Sequence, residues 1–96
     1  MTVSDFVQRN AVSKSRIPLF GFENAIKLIE LCEFEGKRIL GIDTFLIYTN
    51  GSIQPILEES IDFSMTTKND SGNWKEAKWF IASKMQKNYY FEIIYT

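Results

Sequence analysis

The sequence predicts one α+β domain, a mainly antiparallel sheet of about four strands with two main helices in the order α-β-β-β-α-β. Three observations predict it. Apolar residues recur at helical spacing in two places, 22–32 and 74–85. Runs rich in β-branched and aromatic residues fill 39–49 and 89–95. Between them Asn50-Gly51 marks a hairpin. The 96 residues suit a single domain, and no repeat, low-complexity tract or linker divides them.

Taken in order, Ser4 is the expected cap of a short N-terminal helix carrying Phe6 and Val7, and Ser13 to Pro18 reads as an extended basic stretch. From Gly21 to Gly36, Phe22, Ala25, Ile26, Ile29 and Cys32 form a helical stripe that Leu28 and Leu31 widen. Gly36 is a left-handed cap at its end. Ile39 to Thr49 is a strand, and within Phe45-Leu46-Ile47-Tyr48 both faces are apolar, so one face meets the first helix and the other meets something else, such as the second helix or a partner. A two-residue type I′ turn at Asn50-Gly51 leads to a returning strand, Ser52 to Leu57, which Pro55 confines to an edge or a bulge.

Ile61, Phe63 and Met65 alternate with polar residues as a third short strand. Thr67 to Asn73 is a loop with Ser71 or Asn73 as helix cap. Trp74, Ala77, Ile81 and Met85, with Phe80, form the buried stripe of a second helix ending near Asn88. In the last strand Tyr89, Phe91, Ile93 and Tyr95 share one face, and Tyr90, Glu92 and Ile94 share the other.

Composition excludes more than it assigns. There is no histidine, which removes the commonest general base and metal ligand. The single cysteine, Cys32, excludes an internal disulfide and reads as a small core residue in a reducing compartment. No phosphate-binding glycine motif occurs. Glu76-Ala77-Lys78 matches the E-x-K element of metal-dependent nucleases, but on a helix the two charged residues point about 200° apart. No catalytic residue, metal or cofactor is therefore expected. No membrane-spanning or signal segment is read, so a cytoplasmic address is expected.

A net charge of −1 offers no broad basic field for nucleic acid, although Lys75, Lys78, Lys84 and Lys87 interleave with Trp74, Trp79 and Tyr90. The charge is polarised: 23–62 holds eight acids against three bases. Glu58, Glu59 and Asp62 crowd the segment after the edge strand, and Glu30, Glu33 and Glu35 line the end of the first helix. Like charges repel, so such clusters point to a basic protein partner, with Tyr48 and Phe63 as adjoining aromatic contacts. The bland alternative is an ordinary solvated face.

Gly21-Phe22-Glu23-Asn24-Ala25, the helix with Leu28 and Leu31, Gly36, and then Ile39-Leu40-Gly41-Ile42-Asp43 resemble small bacterial immunity proteins of polymorphic-toxin and contact-dependent inhibition systems. The nearest type is the Imm-forty group, whose helix is followed by apolar-Leu-Gly-Gly-Asp leading into a strand. The likeness extends loosely from Gly21 to Phe80, and its specific part is Leu40-Gly41-x-Asp43. Ile42 departs from the pattern where a second glycine is expected, and Thr44 where a larger aliphatic residue is expected. The resemblance implies a cytoplasmic monomer that binds the C-terminal domain of a cognate toxin one-to-one, often a nuclease, and blocks it. The family's Gly-Asp pair carries over as Gly41 and Asp43, the latter either touching the toxin or ordering the start of the strand. The alternative is an adaptor or antitoxin-type protein that binds nucleic acid or another protein complex.

Overall fold

The computed structural model describes residues 1–12, 17–63 and 72–96. Three helices, α1 (Val3–Asn10), α2 (Phe22–Glu35) and α3 (Trp74–Ala82), accompany the strands β1 (Ile39–Ile47), β2 (Ile53–Pro55), β3 (Ile61–Asp62) and β4 (Tyr90–Tyr95). The fold is α+β with a four-stranded antiparallel sheet and a short N-terminal helix, as the sequence predicts.

The long β-branched run of β1 is the sheet's axis. β4 runs beside it from Ile39↔Tyr95 to Phe45↔Tyr90, while β2 and β3 both pair with its other edge. Pro55 therefore lies in an edge strand, where its missing N–H costs no ladder bond. Between β2 and β3 a single 3-10 turn, Leu57–Glu59, lifts the chain off β1. Thr44 closes that gap. Its hydroxyl donates to Glu59 O at 2.6 Å, its N–H donates to Ser60 Oγ at 3.0 Å, and its carbonyl accepts from Ile56 N–H at 2.8 Å. A larger aliphatic side chain here would leave the Glu59 carbonyl without this donor, which explains a fully buried threonine in a strand otherwise apolar on its inner face.

One side of the sheet carries the core. Ile39, Ile42, Phe91 and Ile93 pack with Ala25, Leu28, Ile29 and Cys32 of α2 and with Ala77, Phe80 and Ile81 of α3. Ile39 and Ile42 reach the same side because a bulge between Ile39 and Gly41 shifts the alternation by one residue. Cys32 is fully buried, and desolvation pushes its thiol up to about 11, which makes it an inert packing residue at neutral pH. α1 lies against α2, its Val3 and Phe6 buried in the same cluster. Its cap is Thr2 rather than Ser4: Thr2 and Asp5 form a reciprocal capping box. Phe20 joins the sheet through a paired bridge to Phe91, with N···O distances of 2.9 and 2.8 Å.

Two further local expectations are corrected. The hairpin is a three-residue loop: Gly51 N–H donates to Tyr48 O, Gly51 alone of the loop has positive φ (88°), and Asn50 Oδ1 accepts from Ser52 N–H. The extra residue makes the left-handed position fall on glycine only. The second helix stops at Ala82, where Ser83 Oγ and N–H turn back to the Phe80 and Trp79 carbonyls. Met85 consequently sits in the following turn, 60% exposed, instead of in the core stripe. Among the described residues β3 comprises Ile61–Asp62; the continuation through Met65, the loop 64–71 and the cap at Ser71 lie outside the described residues, as does 13–16 of the basic stretch.

Candidate functional site

Residues directly opposite each other in an antiparallel pair point to the same face. Ile42↔Ile93 and Thr44↔Phe91 face the helices, so Gly41↔Ile94, Asp43↔Glu92 and Phe45↔Tyr90 face the other way. Gly41↔Asp62 and Ile47↔Ile53 extend that second face over β3 and β2. None of its apolar members, Phe45, Ile47, Ile53, Tyr90 and Ile94, belongs to the core cluster, and no described helix packs on it. Among the described residues the sheet is thus covered by helices on one side and carries none on the other. Phe45 is buried between its register neighbours Pro55 and Tyr90, whereas Ile94 is exposed.

At the centre of this face two carboxylates oppose each other across β1 and β4. Neither Asp43 nor Glu92 meets a base or a backbone N–H among the described residues. Partial burial and the Asp43 charge together raise the Glu92 carboxyl above its ordinary range. A proton is bound more readily in the folded state, so this pair's contribution to stability is present at low pH and lost as pH rises through the folded pKa. Like charges opposed in a sheet cost up to about 1 kcal/mol. Glu92→Gln is accordingly expected to raise the melting temperature at pH 7 and to leave it nearly unchanged near pH 4, checked by thermal melts at both. An unchanged melt at pH 7 would show that the two charges do not interact. Beside the pair lies a hollow of about 300 Å³ lined by Leu40, Gly41, Asp43, Ile61, Asp62 and Ile94.

Of the nine residues singled out from the sequence, only Asp43 and Asp62 lie on this face. Glu92 was missed. Its place beside Tyr90 and Ile94 follows from alternation within β4, but its pairing with Asp43 depends on a register between strands 49 positions apart in sequence. Asp43 accepts no backbone N–H that would order the start of the strand. Tyr48 falls on the opposite side of the hairpin, where its hydroxyl meets Gln54 Oε1. Phe63 is a core residue, 7% exposed.

Three of the glutamates are occupied by the fold itself. Glu33 pairs with Lys78 at 3.2 Å and ties α2 to α3. Glu35 accepts the Val3 N–H at 2.8 Å, placing a carboxylate at the positive end of α1. Glu59 pairs with Lys84 at 2.5 Å, and Lys84 also lies over the Phe80 ring. Glu30 and Glu58 are exposed on α2 and on the 3-10 turn. The acids therefore do not gather into one cluster, and no group of three or more Asp, Glu, Cys or His among the described residues could hold a metal ion.

The Glu59 carboxyl is held below its ordinary range, first by the hydrogen bond from Lys84, which makes its pH linkage opposite to that of Glu92. Its stabilisation is present above the unfolded pKa and fades as pH falls through the folded one. Glu59→Gln should lower the melting temperature at pH 7 and converge with the parent in acid. A shift independent of pH would assign the loss to packing instead.

Elsewhere on the surface Trp79 (72% exposed) and Phe34 (87%) stand out, on α3 and α2. Trp79 borders an apolar groove of about 400 Å³ with Ile61, Phe63, Lys75, Glu76 and Phe80. Among the described residues no helix is long and apolar enough to cross a membrane. Compared with models of known protein families and with curated proteins, the chain gives no match.

Proposed function

We propose that this chain is an immunity protein that binds the C-terminal domain of a cognate bacterial toxin one-to-one and neutralises it by covering its active site or an adjacent surface. The uncovered sheet face carries this reading. It sets strand residues of mixed apolar and aromatic character around an acidic centre, the make-up of a protein-binding patch with a basic counterpart. The resemblance noted in the sequence supports the same face, since Gly41 and Asp43 of the Leu40-Gly41-x-Asp43 piece both lie on it. A toxin that cleaves nucleic acid has a basic substrate cleft, and an acidic face suits it. On this reading the protein acts in the cytoplasm, by contact alone, without a catalytic residue or cofactor.

The test is co-expression with the C-terminal domain of the protein encoded by the gene immediately upstream. That domain alone should arrest growth, and this chain should restore it. The pair should elute as a single complex whose mass by light scattering is the sum of one copy of each. Arrest that persists despite co-expression, with the two proteins eluting apart, overturns the proposal.

A further inference from the structure

We propose that Asn50 is a site of spontaneous deamidation in the native protein, and that the closed hairpin loop sets its rate. The product is aspartate or isoaspartate at the tip of the β1–β2 hairpin.

The sequence supplies the reactants. Asparagine followed by glycine sets an amide carbon beside a main-chain nitrogen that no neighbouring side chain shields. Of the asparagines in the chain, only Asn50 is followed by glycine. The loop is exposed from Tyr48 to Ser52, and a Cβ built at Gly51 meets no atom within 4 Å, so water reaches both residues. In the reaction Gly51 N gives its proton to hydroxide and attacks Asn50 Cγ. The new N–Cγ bond closes a cyclic imide. The Cγ–Nδ2 bond breaks, and Nδ2 takes a proton from water and leaves as ammonia. Water then opens the imide. Cleavage of the N–Cγ bond leaves aspartate, and cleavage at the main-chain carbonyl carbon leaves isoaspartate.

The structure holds both reacting atoms back. Gly51 N–H donates to Tyr48 O at 2.8 Å, and a hydrogen bond from the protonated form opposes loss of that proton. Asn50 Oδ1 accepts from Ser52 N–H at 3.0 Å and from Ser52 Oγ at 2.7 Å, which fixes the side-chain amide toward Ser52. These bonds sit on an exposed turn that Tyr48 N–H closes on Ser52 O at 2.9 Å, so they open without disturbing the core. Each opening frees the nitrogen and the carbon together. Aspartate keeps an oxygen for Ser52 and adds one negative charge. Isoaspartate also routes the main chain through Cβ. The lengthened loop then no longer brings Gly51 N–H to Tyr48 O while Tyr48 and Ser52 stay paired, so the modified tip does not reclose.

The experiment incubates the folded parent, Ser52→Ala and Asn50→Gln at neutral pH and physiological temperature, with the parent in urea alongside. Ion exchange follows the acidic species, peptide mass spectrometry locates it, and enzymatic methylation of isoaspartate identifies the product. The folded parent should gain an acidic form modified at Asn50 before any other asparagine. Ser52→Ala, which deletes the exposed Oγ bond, should react about 2- to 5-fold faster, the share of opening that one such bond holds back. The parent in urea should react faster still, and Asn50→Gln should gain no such form. A Ser52→Ala rate equal to or below the parent's overturns the proposal, because the loop would then be indifferent or would assist the attack. Modification confined to urea, or beginning at another asparagine, also overturns it, since Asn50 would not be a site of the native protein.

Discussion

Phe91→Ala is expected to destabilise the domain by about 3–5 kcal/mol, the range for removing a fully buried phenylalanine. Phe91 is 1% exposed, lies in the core cluster beside Ile93 and stands opposite Thr44 on the helix-facing side of the sheet. It is also the residue through which Phe20 joins β4, so a cavity there loosens the attachment of the segment before α2. Since a domain of this length has roughly 5–15 kcal/mol in total, the variant should lose a large share of its stability and melt well below the parent. Ile94→Ala is the internal control. It lies three residues on, on the uncovered face, 37% exposed, and its truncation should cost less than about 1.5 kcal/mol. Denaturant titration of the two variants decides the matter; equal losses would mean that the second face is covered after all.

The second large effect is expected at Asn73, which is 3% exposed and has φ of 65°. Sequence reasoning places it as a helix cap, and it does occupy that position, yet its side chain makes no capping bond. Its amide instead donates to Ile39 O at 3.0 Å. On either side, Gly72 O accepts the Ile39 N–H at 2.8 Å and the Trp74 indole donates to Lys37 O at 2.8 Å. These three bonds strap the start of α3 to the start of β1. Asn73→Ala loses a buried hydrogen bond, about 1–3 kcal/mol, and forces alanine into the left-handed region, about 1 kcal/mol more. Asn73→Gly loses the bond but keeps the backbone freedom, so it should be about 1 kcal/mol less damaging. Were glycine no better than alanine, backbone conformation would not be part of the cost. Gly72 shows how tight the strap is, because a Cβ there would meet the Trp74 ring at 2.4 Å.

What the sequence made legible and what it concealed divide along a physical line. Periodicity and cap chemistry are local, so α2 with Gly36 at its end and the two faces of β4 follow from residues within a few positions of each other. The hairpin shows the limit of local reading. Asn50-Gly51 marks the right place, but the number of loop residues is set by how Tyr48 and Ser52 meet across the strands. α3 illustrates the same limit: in the sequence its apolar stripe runs on to Met85, but the helix stops at Ala82 with the Ser83 cap, and Lys84 then turns toward Glu59. The candidate site was hardest of all. Acids adjacent in sequence, such as Glu58 and Glu59, take different roles. The opposed pair, Asp43 and Glu92, becomes neighbours only through the register of β1 with β4. Charge counted along the chain cannot see that pairing, because a slip of β4 by one residue would send Glu92 to the core side, away from Asp43.

The 3-10 turn between β2 and β3 has a consequence for how molecules of this protein meet at high concentration. A sheet rim is a template for further strands when it is long, flat and unbroken. Among the described residues this rim has three residues ending in a proline, then a turn that leaves the sheet, then two residues more. A neighbouring chain that tried to add itself there would lose its ladder after one or two bonds. The interruption that Thr44 stitches together from within therefore also blunts the outer rim against fibril growth.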